Sequence, residues 1–178
     1  MKIKNCLFLL GTAMAVMSSS AFADTTGTQT FMANVTADTC TIANLQQAVD
    51  LGNVLKADYT SLDNWAAPTP TPLVSVNFDV TGCGNNITKV NVTPTFAAES
   101  LSRFVKNSGT AAGMAFDTAK KTNIDFDEKR AWKSGKTRTF TLTNGAVQVP
   151  VIGVLSKADK AVTAGTLDFQ MTFAFDFV

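Results

Sequence analysis

There is no histidine anywhere in the 178 residues. The commonest general base and the commonest transition-metal ligand are therefore missing. Neither G-x-S-x-G, nor a P-loop, nor a dinucleotide-binding glycine fingerprint occurs. No C-x-x-C pair is present, which argues against a zinc, copper or redox centre. Only 16% of residues are charged, with 15 basic against 14 acidic, and no basic stripe stands out. Nucleic acid and anionic membranes are therefore not expected partners. The densest acidic group, Asp125, Asp127 and Glu128, sits beside Lys129 and Arg130 and lacks EF-hand spacing, so a solvated turn is expected rather than a Ca²⁺ site. No long stretch carries a 3.6-residue apolar period, and no internal repeat is found. These absences exclude most enzyme classes; neither catalysis nor a cofactor is expected.

What is present begins with an export signal. Lys2 and Lys4 precede the apolar run Cys6–Val16, and Ala21-Phe22-Ala23 is a small-x-small cleavage site. Residues 1–23 read as a secretory signal peptide, too short in its apolar run to span a bilayer comfortably. Its removal leaves 155 residues, enough for one domain, and 13 basic against 14 acidic side chains. Of three cysteines, Cys6 departs with the leader, and Cys40 and Cys83 stay. In an exported chain such a pair is expected to form one structural disulfide. A redox pair or two free thiols are the alternatives, and the wide spacing lacks the close arrangement of redox sites.

The dominant pattern is period two. Val74, Val76, Phe78 and Val80 alternate with Ser75, Asn77 and Asp79 before Gly82-Cys83-Gly84. That is a half-buried strand ending in a turn. Residues 87–96 read as another strand with Val90 and Val92 inward, and shorter strands are expected at 114–116, 137–142 and 147–154. Asn144-Gly145 is a hairpin signal between the last two. Pro68, Pro70 and Pro72 mark a loop, and residues 120–135 read as an exposed connection. Seven or so short strands imply an all-β sandwich of immunoglobulin type.

Two alternating segments lie at the ends. Leu167, Phe169, Met171, Phe173, Phe175 and Phe177 occupy every odd position of the C-terminal stretch. Such an apolar strand, with nothing after it to pair with, is a liability in a self-contained monomer. Near the N-terminus, Phe31, Ala33, Val35 and Ala37 share one side, with Met32 an exception on the other. This segment is either an ordinary first strand or an extension that pairs with a neighbour.

Read together, these features resemble the subunits of chaperone–usher pili, the family of type 1 and P pili. Four patterns carry the resemblance: Gly27-Thr28, Phe31 and Val35 ahead of Cys40-Thr41-Ile42; Val49-Asp50-Leu51-Gly52-Asn53-Val54; Phe78-Asp79-Val80 with Cys83; and Thr163-Ala164-Gly165 ahead of the final strand. The resemblance implies an immunoglobulin-like sandwich lacking its seventh strand. It implies residues 24–38 as an N-terminal donor-strand extension and 39–178 as the pilin domain. Gln29, Phe31, Ala33 and Val35 would be the donor residues, Phe31 alone contributing roughly 2–3 kcal/mol by burial. Gly165, Leu167, Phe169, Met171, Phe173, Phe175, Phe177 and Val178 would form the acceptor groove and the strand bound by a periplasmic chaperone, whose basic residues would take the carboxylate of Val178.

The implied partners are that chaperone, an outer-membrane usher, neighbouring subunits and, in one reading, a host receptor. The implied path runs through the periplasm to a fimbria on the bacterial surface. The chain departs from the family pattern at Ala33, where glycine is frequent, at Phe177, where tyrosine is usual, and at Gln29, where a larger apolar residue is usual. Two other readings stand beside the structural subunit. One is a single-domain receptor-binding subunit using Trp65 and the 120–132 loop. The other is a self-contained periplasmic sandwich protein.

Overall fold

The computed structural model describes residues 25–35, 40–71, 73–119 and 127–178. The signal segment, Pro72 and the 120–126 part of the expected connection lie outside these residues. The described chain holds β1 (Thr25–Val35), β2 (Thr41–Ala43), β3 (Gln46–Val54), the single turn α1 (Ala57–Thr60), β4 (Leu73–Thr81), β5 (Lys89–Thr95), β6 (Phe104–Lys106), β7 (Met114–Asp117), β8 (Arg138–Thr141), β9 (Val147–Lys157) and β10 (Leu167–Phe177).

Alternation decides which face each strand buries. In β4, Val74, Val76, Phe78 and Val80 are buried while Leu73, Ser75, Asn77 and Thr81 are exposed. β10 repeats the pattern: Leu167, Phe169, Met171, Phe173 and Phe175 are buried between exposed or half-buried neighbours. Two such faces can leave water together only by stacking. The strands accordingly form two five-stranded sheets, ordered β3-β1-β10-β5-β8 and β2-β4-β9-β7-β6.

Phe173 sits at the centre of the core between them. Its ring lies 5.3 Å from Phe78, 5.2 Å edge-on from Trp132 and 6.3 Å from Phe31. Three of the four outermost strands are short, β2 and β6 with three residues and β8 with four, while the fourth, β3, has nine.

The expected disulfide forms, Cys40 to Cys83, with Cα atoms 4.3 Å apart. It ties the chain entering β2 to the chain leaving β4, its pairing partner. Asn144 and Gly145 adopt the left-handed turn conformation, φ 53° and 71°, and Thr143 and Ala146 bond each other across it. Beyond that bridge the turn makes no hairpin, because β8 pairs with β5 in one sheet and β9 with β4 and β7 in the other. The turn therefore crosses between layers.

Candidate functional site

The sandwich built by residues 40–178 has a slot in its first sheet, between β3 and β10. Neither of these strands pairs with the other. The floor of the slot is apolar, since β10 presents Leu167, Phe169, Met171, Phe173 and Phe175 to the interior above Phe78 and Phe116. Phe177 also packs against this cluster but stays half-buried. Val178 follows it, half exposed, and its backbone exchanges hydrogen bonds with Lys89.

β3 forms the other wall. Val49-Asp50-Leu51-Gly52 bulges there: Gly27 pairs with Gly52 and Thr28 with Asp50, leaving Leu51 as an extra residue. Gly52 takes φ 60°, open to glycine at little cost, and its N–H is capped by Asp50 Oδ1 at 2.8 Å.

β1 occupies the slot. It runs parallel to β10, with Gly27 opposite Leu167, Gln29 opposite Phe169, Phe31 opposite Met171, Ala33 opposite Phe173 and Val35 opposite Phe175. Every other strand junction among the described residues is antiparallel. The residues singled out near the two ends of the sequence are thus paired, backbone beside backbone, within one chain. Phe31 and Gln29 are wholly buried, while Met32 points outward and is 42% exposed. Met32 therefore obeys the strand parity that its apolar nature obscured.

Gln29 is anomalous. Among the described residues its Nε2 approaches only a thioether, Met171 Sδ at 3.9 Å, and its Oε1 has no hydrogen-bond partner. The resemblance makes a larger apolar residue usual at this position; here it is held by a buried amide.

The N-terminal end of β10 is clamped on the side away from β1. Asn107 accepts from Asp168 N–H at 2.7 Å and donates to Thr166 O at 3.2 Å, while Ser108 donates its N–H to Asp168 O at 2.8 Å. Gly165 lets this loop approach. A Cβ there would lie 2.4 Å from Ala111 N and 2.7 Å from Thr110 C.

The two aromatic residues considered for an exposed receptor surface are placed otherwise. Trp132 is buried and donates Nε1–H to Pro150 O at 3.1 Å. Trp65 is half-buried with its ring 4.6 Å from Phe104. Arg138 covers the outer side of this region, its guanidinium 4.3 Å over Trp132 and 5.0 Å over Phe140, and burial holds its pKa below the usual arginine value. Asp127 pairs with Arg130, and Glu128 reaches Arg103 and Lys133, as expected of a charged turn. Asp125 lies outside the described residues. Among the described residues no three His, Cys, Asp or Glu side chains converge to hold a metal ion, and no helix is long and apolar enough to cross a membrane.

No protein-family model matches the sequence, and no curated protein matches it. Among solved structures, the chain is similar to the crystal structure of the P pilus rod subunit PapA. The TM-score is 0.58 at 17% identity, over 79% of this chain and all of that one. The likeness establishes the fold: an all-β, immunoglobulin-like pilin sandwich with one strand missing from the body of the domain, its place taken here by β1.

Proposed function

We propose that this protein is a structural subunit of a chaperone–usher fimbria, exported through the periplasm and polymerised by donor-strand exchange. The observation that supports it is the slot itself. The domain body leaves a row of large apolar side chains on β10 that only a strand from outside that body covers, and residues 25–35 are such a strand. Residues 24–38 would serve as the extension given to a neighbour, with Gln29, Phe31, Ala33 and Val35 facing its groove. A periplasmic chaperone would lend a strand to the same slot beforehand, and an usher would catalyse the replacement. Such strand addition draws affinity from main-chain hydrogen bonds and specificity from alternate side chains in pockets. The fibre would support adhesion at the cell surface.

One observation favours a second reading. Because β1 fills the slot within its own chain, the molecule is also compatible with a self-contained periplasmic sandwich. Size-exclusion chromatography of the purified chain, followed over days at rising concentration, separates them. Slow conversion of monomer into chains of subunits supports the fimbrial reading. A monomer that never converts, and never binds a periplasmic chaperone, overturns it.

A further inference from the structure

We propose that Gln29 is a built-in release point. It keeps β1 from sealing its own groove, so that an extended segment carrying an aliphatic or thioether side chain at that position displaces it. The inference rests on the strand-exchange reading above and adds the residue that loosens the closed monomer toward a donor strand lacking that amide.

Gln29 lies on the inward face of β1 beside Phe31 and is fully enclosed. A neutral amide removed from water needs partners for two N–H donors and a carbonyl. Here the carbonyl has none among the described residues, and the nitrogen meets only the sulfur of Met171, a weak acceptor. When β1 leaves the slot, both ends of the amide regain water. The residue thus penalises any state in which this strand fills a slot, its own or a neighbour's, and leaves the free strand unpenalised. Methionine or leucine, of similar size, would fill the same space against Phe169 and Met171 without the penalty.

The neighbouring backbone points the same way. The bulge at Leu51 interrupts the β1–β3 register between Gly27 and Thr28, so on that side the first residues of the strand sit on a separate stretch of ladder from Gln29, while the β1–β10 register runs unbroken from Gly27 to Val35. Phe31 anchors the strand two residues on. Opening would begin at the Thr25 end and pass Gln29 before it meets that anchor.

The test uses the purified chain, its Gln29→Met and Gln29→Leu variants, and fluorescent peptides spanning Thr25–Val35. One peptide has the native sequence and one carries Gln29→Met. The native chain should bind the Met-bearing peptide roughly ten-fold more tightly than the native peptide, and the variant chains should take up either peptide roughly ten-fold more slowly. Amide hydrogen exchange in β1 should slow in both variants by a similar factor.

Equal uptake of the two peptides, with exchange in the variants unchanged, would sink the role of Gln29 and leave strand exchange standing. If no peptide enters the native chain but the variants protect β1, the strand-exchange reading falls and the weakening by Gln29 stands. If neither effect appears, both fall.

Discussion

Phe31→Ala is the sharpest probe of whether β1 belongs to the slot. Phe31 is wholly buried, and its ring lies 6.3 Å from Phe173, which in turn packs on Phe78 and Trp132. Truncation forfeits the burial of a phenyl ring, leaves a cavity over Phe173 and breaks an aromatic pair. Together these should cost about 3–5 kcal/mol. That is a large part of the stability of an ordinary domain, about 5–15 kcal/mol. The assay is urea unfolding of the native and variant chains, followed by tryptophan fluorescence, with midpoint and slope fitted together. The midpoint should fall sharply. If β1 detaches before the body unfolds, the slope should fall as well, because less surface remains to be exposed. A loss below about 1 kcal/mol with an unchanged slope would refute the reasoning, since no fully buried core phenylalanine is that dispensable.

Further outcomes follow from other parts of the sandwich. Burial, with Asp58 adding to it, pushes the Tyr59 hydroxyl up to about 12. Below pH 10 both folded and unfolded chains keep this proton; above it the unfolded chain releases it first, so stability should decline by about 2–3 kcal/mol as pH rises from about 10 to 12. Tyr59 is the only tyrosine in the sequence, so ultraviolet titration reads it directly, and a midpoint near 10 in the folded protein would contradict its burial. Reducing Cys40–Cys83, whose partners are 43 residues apart, should cost about 4 kcal/mol on the chain-entropy account, measured as a shift in denaturation midpoint with and without reductant. An unchanged midpoint would count against it. Gly165→Ala drives a methyl into the backbone at Thr110 and Ala111 and should destabilise the chain by about 2 kcal/mol or more. Wild-type thermal stability in that variant would mean the 107–112 loop yields freely.

Much of the sandwich was legible where one face is buried and the other wet. β4 and β10 alternate cleanly because each has a single apolar face. β3 gives a fainter signal. Its inward positions, Gln47, Val49 and Leu51, are only half-buried at a sheet edge and include a glutamine, and a bulge breaks its period. Its Leu51-Gly52 pair was visible as part of a family pattern, but only the pairing with Gly27 and Thr28 explains it as a bulge. β6 is too short to carry any period. The Asn144-Gly145 turn was readable as a turn, yet nothing local states that its flanking strands join different sheets.

At the site, the two apolar stripes were plain in the sequence, and so was the oddity of Gln29. That the stripes meet each other in one chain, in parallel, is a tertiary fact that pattern alone does not contain. Trp132 ends a loop that read as exposed, because charged Lys129, Arg130 and Lys133 flank a side chain that turns inward to Pro150.

The most direct test of the account is a count of surface fibres on cells that make this protein with or without residues 24–37. Without them the subunit should still accumulate in the periplasm bound to its chaperone, because the slot beside β10 is intact, but electron microscopy should find no fibres built from it. Fibres of normal length and number from the shortened chain would contradict the central claim that residues 24–38 are the strand handed from subunit to subunit.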